Sequence, residues 1–121
     1  MYTVTVESTF TASHQLTMAD GGKEPLHSHD WAVRVAVSAD ELDETGLAVD
    51  FNNLKAMIAD VTGPFAGARL EQLDCFAGCN ASAENVAQYI YDRIEPMLAN
   101  RLKLVYAEVT EADGCRAKYC R

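Results

Sequence analysis

The first fourteen residues of the chain alternate between apolar and polar side chains and therefore predict one long β-strand. Alternate side chains of a strand point to opposite faces, so one face can join a core while the other meets water. The second face is polar and rich in threonine, and only Ser8 interrupts the first. The residues of that first face are Tyr2, Val4, Val6, Phe10, Ala12 and His14.

A second alternating stretch follows the turn signal DGGK at residues 20–23 and begins with two histidines. His27 and His29 are two residues apart, so on a strand both imidazoles point to one face. The residues of that face are His27, His29, Trp31, Val33, Val35 and Val37. In an antiparallel pair the end of the first strand lies beside the start of the second. The three histidines of the chain are therefore expected to meet at one edge of the sheet.

The middle of the chain changes to a helical period after an acidic loop at residues 39–46. Asp50 is a suitable N-cap for a first helix in VDFNNLKAMIADVTG, and Gly63-Pro64 ends that helix. A second helix begins at Ser82 in NASAENVAQYIYDRIEPML, where apolar residues recur at helical spacing.

Two further strands are predicted at the end of the chain, LKLVYAEVTE and the short CRAKY, separated by a turn at Asp113-Gly114. The order ββααββ predicts an α+β fold, an antiparallel four-stranded sheet with two helices on one face. We expect one domain over residues 1–121. The third strand is expected to place one set of residues on the core face: Val105, Ala107, Val109 and Glu111.

Composition restricts the class of partner and the compartment. The formal net charge of −8 disfavours nucleic acid and anionic membranes, because both select clusters of Lys and Arg. No apolar stretch approaches the roughly 20 residues of a membrane-spanning helix. MYTVTVESTF resembles no signal peptide, so we expect a cytoplasmic protein. The four cysteines, spaced C-x3-C and C-x4-C, are then expected to be free thiols.

Three imidazoles at one sheet edge predict a metal site. Three protein nitrogens with an open fourth position are typical of catalytic Zn²⁺, which polarises a substrate oxygen placed there. The alternative is that the histidines are hydrogen-bonded core residues with no metal. Glu111 ends an otherwise apolar row and is either a surface residue or a buried anchor.

Six segments of the chain resemble, in order, motifs of the 6-pyruvoyl tetrahydropterin synthase and 6-carboxytetrahydropterin synthase family. They are FTASHQL, LHSHDW, VDFNNLK, LEQLD, NASAENVAQYIYDRI and VTEADGCRAKY. Together they span nearly the whole chain. The resemblance implies the tunnelling fold (T-fold), with Zn²⁺ as the cofactor held by His14, His27 and His29.

The resemblance also implies a substrate and an assembly. The substrate is 7,8-dihydroneopterin triphosphate, and Glu111 accepts hydrogen bonds from the 2-amino and ring N–H groups of the pterin, a bidentate arrangement that suits a carboxylate. Three chains close a barrel and two such trimers stack into a homo-hexamer with sites at subunit boundaries. The threonine-rich face of the first strand suits the water-filled centre of such a ring.

Three positions depart from the usual family pattern. Usual members carry a cysteine shortly before the first of the paired histidines. No cysteine precedes Cys75 here, and Glu24 in E-x-x-H-S-H resembles a subgroup in which glutamate is the base and 6-hydroxymethyl-dihydropterin is formed. Glu24 is therefore either that base or a solvated loop residue beside Lys23. Asp74-Cys75 replaces an Asp-His pair, and Ser28 replaces a glycine and adds a hydroxyl near the metal.

These observations predict a zinc-dependent lyase of the 6-pyruvoyl tetrahydropterin synthase type. The residues assigned are His14, His27 and His29 to the metal, Glu24, Asp74 and Cys75 to catalysis, and Glu111 to the pterin. One alternative is a zinc- and pterin-binding homologue that has lost the proton relay. Another is a structural β-rich oligomer with no metal. The product and the pathway, of folate, biopterin or queuosine type, stay open.

Overall fold

Four antiparallel strands form one sheet in the order β1-β2-β3-β4 in a computed structural model that describes residues 1–121. The strands are β1 (Tyr2–His14), β2 (His27–Ala39), β3 (Lys103–Ala112) and β4 (Cys115–Tyr119). Two helices, α1 (Phe51–Thr62) and α2 (Ala83–Ile94), lie between β2 and β3 in the chain. The predicted α+β fold of ββααββ order is confirmed.

Both helices begin at the predicted N-caps. The Asp50 carboxylate accepts a hydrogen bond from the backbone N–H of Asn52 at 2.7 Å, and the Ser82 hydroxyl accepts one from Asn85 at 3.2 Å. Each bond satisfies an N–H group that has no partner within the helix. The capped helices then pack their apolar stripes into the same core as one face of the sheet.

The core reaches to the edge of the sheet where the histidines lie. Trp31 is completely buried, stacks on Phe10 with ring centroids 5.7 Å apart, and donates from its indole N–H to the Ala12 carbonyl at 3.2 Å. Its ring also meets the His14 ring edge-on, with centroids 4.9 Å apart. The histidine end of the sheet therefore packs against buried aromatic rings, which limit how far the imidazole of His14 can move.

The prediction that Val105 lies on the core face is wrong. Ala36 pairs with Tyr106 while Val37 pairs with Leu104, so Val105 is the extra residue of a β-bulge. Leu104, 2% exposed, takes the core position instead. A bulge shifts the alternation of a strand by one residue, and it is a property of the pairing with β2 rather than of the β3 sequence alone.

The face of the sheet away from the helices carries a row of alternating charges, which we call the charge row: Glu7, Arg34, Glu108 and Lys118. The four residues lie directly opposite one another across all four strands. Arg34 lies 2.9 Å from Glu7 and 3.4 Å from Glu108, and Lys118 lies 3.8 Å from Glu108. The row thus ends in a carboxylate at the β1 edge and in an ammonium group at the β4 edge.

Two further sequence features can be placed in the structure. All four cysteines are exposed and free. The structure has no helix with the length and apolar character needed to cross a membrane.

Candidate metal centre and active site

The strand register brings the three histidines together at one sheet edge. His14 pairs with His27 across the β1–β2 ladder, and His29 pairs with Ala12 two residues along. The ring centroids of His14 and His27 are 4.4 Å apart, and those of His27 and His29 are 4.6 Å apart. The predicted convergence of the three imidazoles is therefore confirmed, since it follows from antiparallel pairing of two strands with period-two alternation.

Backbone carbonyls orient two of the rings. The Nδ1 atom of His14 lies 2.8 Å from the carbonyl oxygen of Ala81, and the Nδ1 atom of His27 lies 2.9 Å from that of Pro25. A carbonyl only accepts hydrogen bonds, so Nδ1 carries the proton in both rings and Nε2 keeps a free lone pair in the neutral form. A hydrogen bond from Nδ1 to a backbone carbonyl is the usual arrangement for histidines that bind metal ions through Nε2.

Glu111 joins the histidines at the end of β3. Its Oε1 atom contacts Nε2 of His14 and lies 3.6 Å from Nε2 of His27 and 3.8 Å from Nε2 of His29. The side chain is 25% exposed, so Glu111 is a partly buried member of the cluster rather than a surface residue. The four side chains form a group, which we call the histidine–glutamate cluster, whose ligand atoms all lie within 4.8 Å of one another.

The chemistry of the cluster fits a metal ion. His14 is 1% exposed, and its Nε2 atom has no hydrogen-bond partner. The neighbouring Glu111 oxygen is also an acceptor, so two lone pairs face each other without a proton donor between them. A buried polar atom without a partner costs about 1–3 kcal/mol, and a cation shared by both atoms removes that cost. Imidazole nitrogens with a carboxylate oxygen are ligands that divalent transition metals accept.

The electrostatics of His27 show that the cluster favours positive charge. Its pKa is raised above the usual 6.5, first because Nδ1 donates to the Pro25 carbonyl, and further because Glu24 and Glu111 place negative charge nearby. Desolvation of the ring opposes these effects without cancelling them. The same negative charges that favour an imidazolium also favour a bound cation.

Glu24 lies at the rim of the cluster, in the loop between β1 and β2. Its Oε1 atom lies 3.7 Å from Nδ1 of His27 and accepts a hydrogen bond from the backbone N–H of Leu16 at 3.2 Å. The backbone N–H of Glu24 in turn donates to the Leu16 carbonyl at 3.1 Å. Glu24 is therefore held beside His27, partly exposed, by hydrogen bonds to the other half of its own loop.

Asp74 and Cys75 are not brought to the cluster within one chain. Both lie in a short 3₁₀ turn, Asp74–Phe76, and no hydrogen bond or ion pair joins either side chain to a histidine or to Glu111. Partial desolvation raises the pKa of the Cys75 thiol, and a hydrogen bond with Tyr89 opposes this only in part. Cys75 is therefore a protonated thiol at neutral pH.

Ser28 does not add a hydroxyl to the cluster. Strand alternation places it on the face opposite to its two histidine neighbours, where its Oγ atom donates to the Ala12 carbonyl at 3.5 Å. The hydroxyl of Ser28, which stands where the usual family pattern has glycine, therefore lies away from the Nε2 atoms of the histidines.

A hydrogen-bonded group that the sequence did not predict holds Gln15, the residue after His14. Glu71 accepts from the backbone N–H of Gln15 at 3.2 Å and from Arg69 at 2.5 Å, and Arg69 also donates to the Gln15 side chain at 2.9 Å. Desolvation opposes the ionised form of Glu71, but the Arg69 and Gln15 bonds prevail and lower its pKa. Glu71 lies in the LEQLD segment, and its pairing with a residue 56 positions away leaves no local sequence signal.

Comparison with known proteins agrees with this geometry. A family model described as 6-pyruvoyl tetrahydropterin synthase matches residues 3–121. The chain is 30% identical over 126 residues to a 6-carboxy-5,6,7,8-tetrahydropterin synthase from Synechocystis sp., with 98% of this chain and 93% of that protein covered.

Solved structures have the same fold over the whole chain. The 6-pyruvoyl tetrahydropterin synthase of Caenorhabditis elegans superposes with a TM-score of 0.81 at 21% identity, covering 100% of this chain and 97% of that one. Variants of the Plasmodium vivax 6-pyruvoyltetrahydropterin synthase, with a catalytic glutamate replaced by alanine or cysteine, superpose with a TM-score of 0.72 at 19% identity, covering 99% and 97%. The match of the family model to residues 3–121 shows that this chain belongs to the 6-pyruvoyl tetrahydropterin synthase family.

Proposed function

We propose that this protein is a zinc-dependent lyase that acts on 7,8-dihydroneopterin triphosphate, as a single catalytic domain over residues 1–121. One observation carries the proposal: three imidazoles and a carboxylate converge at a sheet edge, and the buried Nε2 atom of His14 has no hydrogen-bond partner. Membership of the family supplies the pterin substrate class. The four free cysteines are in line with a cytoplasmic location.

The histidines are proposed to hold the metal through their Nε2 atoms. His14 and His27 are kept in the required tautomer by the carbonyls of Ala81 and Pro25, so neither ring has to reorganise to bind an ion. When bound, Zn²⁺ supplies a Lewis acid that lowers the pKa of a substrate hydroxyl. The packed ring of Trp31 excludes water from the core side of the cluster.

Glu24 is proposed as the general base. A carboxylate can act as a general base and accept a proton from the substrate side chain. The Leu16 N–H group fixes one of its oxygens 3.7 Å from Nδ1 of His27, at the rim of the cluster. The Plasmodium vivax relative also has a catalytic glutamate, and this favours the subgroup in which side-chain cleavage yields 6-hydroxymethyl-dihydropterin.

A neighbouring copy of the chain is proposed to complete the site with Asp74 and Cys75, which lie away from the cluster in their own chain. The raised pKa of Cys75 keeps it protonated, so its role is to donate a proton rather than to remove one. Glu111 is proposed to accept the paired N–H groups of the pterin once the substrate is bound.

The assembly is proposed to be a homo-hexamer of two stacked trimers. β1 and β4 are both edge strands with unpaired backbone groups, and such edges favour pairing with another chain. The charge row ends in Glu7 on β1 and in Lys118 on β4, so an edge-to-edge contact between copies pairs opposite charges and continues the row around a closed ring.

The replacement of the relay histidine by Cys75 favours one second candidate, a protein that binds zinc and a pterin without turnover. A direct assay separates the two. Zinc-loaded protein is incubated with 7,8-dihydroneopterin triphosphate beside an active family member, and the products are identified by mass spectrometry. Consumption of substrate with release of 6-hydroxymethyl-dihydropterin is expected. Binding without consumption would instead establish the second candidate.

A further inference from the structure

The position of the Glu111 carboxylate is not explained by a role in pterin binding alone. Glu111 lines an open recess beside β4, but its Oε1 atom points between the three imidazoles. It contacts His14 and lies 3.6 and 3.8 Å from the Nε2 atoms of His27 and His29. Donor atoms of a tetrahedral zinc site lie about 3.3 Å apart, as follows from bonds of about 2.0–2.1 Å.

No cationic side chain holds Glu111 in this position. Its only ionic neighbours are the three histidines, and neither Arg116 nor Lys118, which line the same recess on β4, forms an ion pair with it. The Nε2 atoms of His14 and His27 keep free lone pairs, and a carboxylate aimed at them is stable when a cation lies between them. The carboxylate of Glu111 therefore lies where a metal ligand would lie.

The backbone at Glu111 is irregular. The β3–β4 register shifts between Thr110 and Ala112, so Glu111 has no residue opposite it on β4. Irregularities of this kind occur next to active sites, where they redirect a side chain, and they leave the ladder locally unpaired. No cross-strand neighbour on β4 therefore fixes the Glu111 side chain in its present position.

We propose that Glu111 is a fourth protein ligand of the metal in the substrate-free protein, and that a bound pterin withdraws it. The inference rests on the proposed function for the identity of the metal and of the pterin. In the resting state the site is then closed by three imidazoles and one carboxylate. The two parallel N–H donors of a pterin offer the carboxylate a bidentate partner, and its transfer to them opens the fourth position for the substrate side chain.

Cobalt substitution with azide as a probe tests the inference without any measurement of turnover. Co²⁺ replaces the metal in the full-length protein, and azide is titrated while the visible absorption bands of the ion are recorded. The wild-type spectrum is expected to resist azide because Glu111 fills the fourth position. Glu111→Gln is expected to bind azide at least about tenfold more tightly, and to bind Zn²⁺ at least about tenfold more weakly in a chelator competition.

Two further variants keep the result interpretable. Glu84→Gln removes the same charge from the same recess without touching a histidine and is expected to match the wild type in both titrations. Glu111→Asp keeps the charge and shortens the side chain, so intermediate azide and zinc affinities are expected. Equal azide and zinc affinities in the wild type, Glu111→Gln and Glu111→Asp would overturn the inference.

The oxidised pterin neopterin separates this inference from the proposed function. Adding neopterin to the cobalt protein is expected to shift the wild-type spectrum, because a hydroxyl of the neopterin side chain takes the fourth position when Glu111 is withdrawn. A wild-type protein that binds no Co²⁺ or Zn²⁺ refutes the proposed function itself. Metal binding with a spectrum that neopterin leaves unchanged refutes the withdrawal of Glu111 by a pterin.

Discussion

Replacement of Glu24 by Gln tests the assignment of the general base most directly. Glutamine has nearly the shape of glutamate and keeps an oxygen that can accept the 3.2 Å hydrogen bond from Leu16. That bond is partly exposed, and we expect the free energy of unfolding to change by no more than about 1 kcal/mol. What the substitution removes is the negative charge and the ability to take up a proton.

The expected loss of turnover is large in comparison. A positioned general base contributes about 10²–10⁴-fold, so kcat should fall by that factor, which corresponds to about 2.7–5.5 kcal/mol of transition-state stabilisation. Zinc content should stay at the wild-type level, because Glu24 lies outside the histidine–glutamate cluster and faces the Nδ1 rather than the Nε2 atom of His27. Loss of turnover with full zinc content is therefore the expected combination.

The assay is single-turnover product formation followed by mass spectrometry, with zinc measured by elemental analysis on the same samples. Glu84→Gln, which changes charge by the same amount on α2, serves as the control and should retain wild-type turnover. A Glu24→Gln protein whose turnover stays within about threefold of wild type would refute the assignment of Glu24 as the base. Turnover lost together with zinc would show that Glu24 supports the metal site instead.

Three further predictions follow from particular contacts. His14→Ala should abolish tight zinc binding and lower the free energy of unfolding of the protein in the presence of zinc by at least about 2–4 kcal/mol in urea titrations. Unchanged stability would contradict the burial of that ring. Lys118→Glu should weaken assembly, measured by light scattering, by about 0.2–1 kcal/mol per edge contact. Arg116→Glu changes the charge on the same strand, but in the row of residues that ends at Thr9, and should leave assembly unchanged. Equal effects of the two substitutions would exclude the charge row as the determinant of assembly. Because its pKa is raised, Cys75 should reach its half-maximal rate of iodoacetamide alkylation at a higher pH than the thiol of an unstructured cysteine peptide. Coincident profiles in peptide mapping would contradict the raised pKa.

The local patterns of the chain were sufficient to predict its elements and the meeting of the histidines. His14, His27 and His29 stand at period-two positions near the ends of two strands, and antiparallel pairing alone then places them at one edge. The caps at Asp50 and Ser82 are likewise local, since each side chain bonds a backbone N–H only two or three residues away. Six short motifs in register were enough to indicate the family.

Contacts between distant parts of the chain decided the rest. The tautomer of His14 depends on the carbonyl of Ala81, 67 residues away, and no side-chain pattern encodes a carbonyl. The bulge at Val105 and the irregularity at Glu111 arise from pairing with other strands, so alternation along β3 predicted neither. Periodicity along one segment determines which face a residue occupies, whereas the partners of that residue are determined only when the folded chain brings remote backbone and side chains together.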